Sequence, residues 1–241
     1  MDRGIYFATK VLKMKILDAH THLDYITQKY RGNVDGCICC ATQEDDWQNI
    51  VDLMNDDNRV YGAFGVHPWF VDSIVCDFDK RLEELLNQNP NYMVGEIGLD
   101  KYKPDMKRQV EIFITQFNIA VKLKRTVSLH CVGAWDKVFY ILKQYKKSEL
   151  PMIIVHAFNE NDDVLGNLSK YENMYFSLSK NSINGGKCRI EQIPQNRILV
   201  ESDGKKDVVL SKIIDTISYI KNEPNMANII YENTQRILKN G

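Results

Sequence analysis

A chain of 241 residues, 44% hydrophobic and 26% charged, has the make-up of a globular protein with room for one large domain or two small ones. Its formal charge of −1 excludes a global positive field that recruits nucleic acid, although a local basic lip would suffice for such a substrate. No apolar run approaches a membrane span, and a disulfide framework does not suit six cysteines in a chain of this size and pattern, so a reducing, cytoplasmic protein without membrane contact or disulfides is expected.

Residues 1–13 read as an N-terminal extension: Ile5-Tyr6-Phe7-Ala8 is too short for a signal-peptide core, and Lys10 interrupts the apolar residues beyond it. A single domain over 14–241 is expected after this extension. The first apolar run, Lys15 to Leu17, continues into Asp18-Ala19-His20-Thr21-His22. Residues i and i+2 of a strand share a face, so a strand finishing His-x-His aims two imidazoles at one point. Neutral imidazole is the commonest side-chain ligand for borderline divalent metals, which gives such a pair a chemical purpose. Val34 to Ala41 is a second apolar strand, in which Cys37, Cys39 and Cys40 serve as small hydrophobes. Helical spacing through Trp47, Ile50, Val51 and Met54 covers Gln43 to Asn55. Arg59 to Gly65 is a third strand, leading into the loop Gly65-Val66-His67-Pro68-Trp69.

An amphipathic helix over Asp77 to Asn89 takes Asp77 as its expected cap. Tyr92 to Gly98 is a fourth strand that carries a carboxylate, Glu96, in apolar surroundings. The stripe Val110, Phe113, Phe117, Ala120 and Val121 predicts a long helix from about Asp105 to Lys124. Strands five to eight are Thr126–His130, Met152–His156, Met174–Leu178 and Arg197–Glu201. Helical stretches separate them, except for a short glycine-bearing segment over Asn181 to Ile193, and two helices over Val208–Ile220 and Pro224–Leu238 close the chain. Strands apolar on both faces, alternating with helices, indicate a parallel sheet covered by helices. At this length the favoured α/β fold is a closed (β/α)8 TIM barrel, with a doubly wound open sheet as the alternative.

In such a barrel, catalytic groups gather at the carboxyl ends of the strands. His20 and His22 end strand one, Glu96 strand four, His130 strand five and His156 strand six, and Asp203 comes just after strand eight. One histidine at a strand end is an ordinary core residue, but four of the chain's five in that position indicate a built site. Four imidazoles and two carboxylates suffice for two divalent ions (Mg, Mn or Zn) if a carboxylate bridges. Glu96 lies between the His20/His22 side and the His130/His156 side, which makes it the expected bridge. Two ions about 3.5–4 Å apart can hold a hydroxide and polarise a phosphoryl or carbonyl oxygen.

Several of these segments are similar, in order and spacing, to the signatures of TatD-type metal-dependent deoxyribonucleases. They are Asp18-Ala19-His20-Thr21-His22-Leu23-Asp24, Gly65-Val66-His67-Pro68-Trp69, Gly95-Glu96-Ile97-Gly98-Leu99-Asp100 and the stretch Gln109 to Ala120. Leu129-His130-Cys131, Val155-His156-Ala157-Phe158 and Glu201-Ser202-Asp203 extend the likeness, which Asn222-Glu223-Pro224 and Asn233-Thr234-Gln235-Arg236 echo more weakly. The resemblance implies a barrel of the amidohydrolase type with a divalent-metal centre that hydrolyses, typically, DNA. Two positions depart from it. Cys131-Val132-Gly133 stands where a basic residue usually comes after the strand-five histidine, and Gly204-Lys205-Lys206-Asp207 replaces a proline-containing loop. Lys205 and Lys206 either restore positive charge at phosphate or are a solvated helix start. Lys101, Lys103, Lys107 and Arg108 form a second basic stretch that could grip a phosphodiester backbone.

The expected activity is therefore that of a metal-dependent phosphodiesterase on DNA or another phosphodiester, with Asp203 both ligand and general base. Glu201 is expected to orient a neighbouring ligand. His67 has no obvious place in the metal set and either donates to the phosphate or leaving oxygen or structures its loop. An amide or ester hydrolase on the same barrel is the alternative, although relatives of that kind often bridge their metals with a modified lysine on strand four, which has none here. A metal-binding protein without turnover is the third reading.

Overall fold

The computed structural model describes residues 14–26, 30 and 33–240, so the expected extension over 1–13 lies outside the described residues. Its strands are β1 (Leu17–Thr21), β2 (Gly36–Cys40), β3 (Val60–Phe64), β4 (Met93–Asp100), β5 (Val127–Val132), β6 (Ile153–Val155), β7 (Met174–Leu178) and β8 (Ile198–Val200). They form one parallel eight-stranded sheet in chain order. At the seam, the Asp203 N–H donates to the His20 carbonyl at 3.0 Å and the Ser202 N–H to the Asp18 carboxylate at 3.0 Å. The first and last strands are thus tied at their carboxyl ends, and the sheet is the expected (β/α)8 barrel.

The helices are α1 (Asp46–Asp56), α2 (Phe78–Gln88), α3 (Met106–Leu123), α4 (Trp135–Leu142), α5 (Asp162–Leu168), α6 (Lys180–Asn184), α7 (Leu210–Lys221) and α8 (Met226–Asn240). Strand periodicity divides the core into two layers. In β2, Cys37 and Cys39 join the large cluster between sheet and helices, whereas Ile38 and Cys40 join a smaller one with Ala19, Ala63, Met93, Ile154, Tyr175 and Leu199. Residues from strands all round the sheet make up this second cluster, so it is the barrel interior. Ile237 of α8 packs into it, which explains why the closing helix is part of the barrel.

The helix starts separate two aspartates that look alike in sequence. Asp105 caps α3 through its side chain, accepting the Arg108 N–H at 2.9 Å. Asp77 stands at the corresponding position of α2 but makes no such cap; its carboxylate pairs with Lys80 Nζ at 2.7 Å instead. Both aspartates have a left-handed backbone, so the difference lies in the cation beside Asp77, which takes its carboxylate in place of the amide donors.

Two buried glutamines on α3 hold the loops that carry the site. Gln116 accepts the Val66 N–H at 2.7 Å and donates to the Val66 carbonyl at 3.1 Å, directly before His67. Gln109 accepts the Asp100 N–H at 2.8 Å and donates to the Asp100 and Pro104 carbonyls at 3.1 and 2.9 Å. Gln116→Leu leaves a buried N–H and C=O without partners, so a loss of about 2–4 kcal/mol is expected, read as a lower urea midpoint at unchanged m. An unchanged midpoint would show that water replaces the amide without cost.

Candidate metal centre

The ladders of two strands break where the site begins. Register shifts fall between Asp18 and Thr21 in β1 and between Val94 and Ile97 in β4, around the histidine pair and around Glu96. Such irregularities re-aim side chains that a regular ladder would send elsewhere. Gly98 then lets β4 close again on β5, opposite His130.

Glu96 is the hub. Its Oε2 lies 3.2 Å from His20 Nε2 and 3.7 Å from His22 Nε2. Its Oε1 lies 2.8 Å from His130 Nδ1, 3.3 Å from His67 Nε2 and 3.5 Å from His156 Nε2. Asp203 Oδ1 completes the cluster, 3.7 Å from His22 Nε2 and 4.0 Å from His156 Nε2. All seven residues singled out in the sequence therefore meet at one end of the barrel. His67, which had no place in the metal set, stands within the group; His22 and His156 lie just beyond their strands rather than in them, and Asp203 follows its strand as expected.

The donor set suits a cation. Ligands at 2.0–2.1 Å around a tetrahedral ion are about 3.3–3.4 Å apart, and the His20–Glu96, His20–His22, His22–Glu96 and His22–Asp203 contacts measure 3.2, 3.4, 3.7 and 3.7 Å. Neighbours aim the rings. His22 Nδ1 faces the Cys40 carbonyl at 3.1 Å, so it carries the proton and Nε2 keeps its lone pair toward Glu96. His20 Nδ1 rests on Ser128 Oγ at 3.0 Å. His156 Nδ1 lies 2.9 Å from Glu201 Oε1, an ion-pair contact that is not aligned as a hydrogen bond, and the Ala157 N–H donates to the same oxygen at 3.0 Å.

Burial opposes the charge of Glu96, but the imidazoles of His156, His67 and His20 outweigh it and hold the carboxyl well below the usual carboxylate range. Burial likewise opposes protonation of His156, yet Glu201, Glu96 and Asp203 push it up to about 10. Burial draws His67 down, which favours its neutral ring. With a value of about 10, His156 is protonated near neutrality and must lose that proton to ligate. Proton release on adding Mn or Zn is therefore expected, with apparent metal affinity falling as pH falls. Titration calorimetry in two buffers of different ionisation heat measures this; equal heats in both would rule it out.

An open cleft of about 390 Å³ leads away from Asp203 and is lined by His22, Tyr25, Thr42, Gly204 and Lys206 among others. Lys205 Nζ ion-pairs with Asp203 Oδ2. Sequence reasoning missed two residues around His130. Asp100 Oδ2 lies 3.6 Å from His130 Nε2 and accepts the Trp69 indole N–H at 2.7 Å. A sign was available: Asp100 ends the strand that carries Glu96.

An eight-stranded parallel barrel with imidazoles and carboxylates converging at its carboxyl end defines a metal-dependent hydrolase. The comparisons specify which kind. Residues 17–239 match the family model described as TatD related DNase, and the chain belongs to that family. It is 28% identical over 222 residues to the human 3'-5' RNA nuclease TATDN2, a match covering 80% of this chain and only 28% of that longer protein. It is 27% identical over 221 residues to the uncharacterized metal-dependent hydrolase BU355 of Buchnera aphidicola, covering 79% of this chain and 81% of the other. The crystal structure of YJJV, a TatD homolog from Escherichia coli K12, superposes with a TM-score of 0.81 at 21% identity, covering 93% of this chain and 98% of that one. Among the described residues no helix is long and apolar enough to cross a membrane.

Proposed function

We propose that the protein is a nuclease, cleaving phosphodiester bonds of DNA or RNA in a reducing, cytoplasmic setting. The observation that carries this reading is the divided carboxylate of Glu96, one oxygen facing His20 and His22 and the other facing His130 and His156. His20, His22, Glu96 and Asp203 would hold one divalent ion, and Glu96, His130 and His156 the other. Ions so held supply Lewis-acid polarisation of a phosphoryl oxygen and acidify water.

The remaining work falls to the chain's own groups. Lys205 engages Asp203 Oδ2, which leaves Oδ1 turned to the centre to accept a proton from the attacking water. His67 Nδ1 accepts the Trp69 N–H at 3.2 Å, so the neutral ring carries its proton on Nε2. So protonated, Nε2 can donate to a phosphoryl or leaving oxygen, and His67 is assigned to catalysis on that ground. Glu201 positions His156 so that Nε2 faces Glu96.

The family description and the human relative both point to nucleic acid as the substrate class. Strand four carries Glu96 and no lysine, which favours this reading over amide hydrolysis. The test is turnover of DNA and RNA oligonucleotides, simple esters and amides, each with Mg, Mn, Zn or a chelator. Chelator-sensitive cleavage of an oligonucleotide is expected. Turnover of esters or amides alone would replace the nuclease by the alternative hydrolase, and metal uptake without any turnover would leave a binding protein.

A further inference from the structure

A tryptophan held rigidly in solvent beside a catalytic cluster calls for a physical reason. Trp69 is 52% exposed, yet its indole N–H is anchored at 2.7 Å on Asp100, a carboxylate that is only 4% exposed. Its backbone N–H fixes the tautomer of His67, and its ring centroid lies 5.2 Å from that of His67. His67 Nε2 is in turn 3.3 Å from Glu96. One imidazole therefore separates the indole from the hub of the site.

The surroundings are cationic. Lys103 Nζ sits 3.9 Å from the Trp69 ring centroid, and the indole keeps its exposure with that cation in place. Lys101 Nζ lies 5.9 Å from the ring of Tyr102, which is 75% exposed. Among the described residues neither lysine has a carboxylate partner, so both charges are available to a ligand. Exposed aromatic rings, each with a lysine free of carboxylates beside it, are how proteins hold single-stranded nucleic acid, a base stacking on a ring while the cations track the phosphates.

We propose that Trp69 is the stacking platform for the nucleobase flanking the scissile phosphodiester, with Lys101 and Lys103 on the adjoining phosphate. The proposal rests on the nuclease reading and adds a requirement for an unpaired base, hence for single-stranded or frayed substrate. The rigid anchor on Asp100 presents the ring already oriented, so little freedom is lost on binding.

The test is a cycle between the ring and the base. Single-stranded oligonucleotides with an abasic site on either side of the cleaved bond are compared with the intact strand, in wild-type protein, Trp69→Ala and Trp69→Phe. Trp69→Ala is expected to raise KM for the intact strand roughly 5- to 150-fold with kcat little changed. Removing the flanking base should cost the wild type a similar factor and cost Trp69→Ala nothing further. Trp69→Phe keeps a ring while losing the indole N–H, so it should recover most of the affinity. Binding should also quench tryptophan emission in the wild type but not in Trp69→Phe, because Trp47 and Trp135 are buried. If Trp69→Ala discriminates the abasic strand as well as the wild type does, or if Trp69→Phe fails as badly as alanine, the ring merely covers Asp100. A wild-type protein that hydrolyses a small non-aromatic phosphodiester but no oligonucleotide would instead remove the nuclease reading, and the stacked base with it.

Discussion

Glu96→Gln is expected to abolish turnover, lowering kcat/KM by at least about 10³-fold, the several kcal/mol that a held ion contributes to charge stabilisation. The side chain keeps its shape and can still touch the imidazoles around it, so the barrel should fold. The carboxylate charge is lost, and with it the one group whose two oxygens face both halves of the cluster. Bound metal should fall in parallel, measured by elemental analysis after gel filtration. Glu201→Gln is the graded comparison, since it neutralises the partner of His156 and of the Ala157 N–H without touching Glu96, and should cost about 10- to 100-fold. Full activity and full metal content in Glu96→Gln would mean that the bridge lies elsewhere.

The second large effect concerns a residue with no side chain. Gly98 has φ 150° and pairs with His130 across β4 and β5; a Cβ built there would meet the His130 carbonyl oxygen at 1.8 Å. Neither atom belongs to a flexible side chain, so the strands must part directly beneath a site residue. Gly98→Ala should therefore cost about 4 kcal/mol, combining overpacking with backbone strain, and lower Tm by about 8–16 °C. Activity should fall even below the melting transition, because His130 moves with its strand. Gly166→Ala is the control. It lies inside α5, where a Cβ meets nothing within 4 Å, and the change should be neutral or stabilising by up to about 1 kcal/mol. Equal melting temperatures for the two variants would refute the steric account.

Much of the fold and the site is legible because the barrel converts sequence order into position. Apolar runs that end in His20, His130 and His156 identify both the strands and the end of the sheet that carries the chemistry, since parallel strands all point the same way. Glu96 is legible for a related reason: a carboxylate inside an apolar strand needs partners, and the four histidines supply them. What the sequence hides depends on the third dimension. His67 belongs to no strand, and only the loop pinned by Gln116 brings it to Glu96. Asp100 and Trp69 lie 31 positions apart and meet through a side-chain bond that no periodicity encodes. Lys205 could be read as a phosphate contact or as surface; the structure turns it onto Asp203. Asp77 and Asp105 are indistinguishable as caps until their partners are placed: Lys80 takes one carboxylate and the Arg108 N–H the other.

The paired glutamines of α3 also bear on how this barrel can be recombined. Gln116 grips the backbone after β3 and Gln109 the backbone after β4, so two loops that precede the helix depend on one of its faces. A loop grafted from a homologue into either position would arrive without its matching amide unless the helix came with it. The segment from β3 through α3 is thus a unit of exchange, and crossover points in a chimaera library belong before Val60 and after Leu123, not between them.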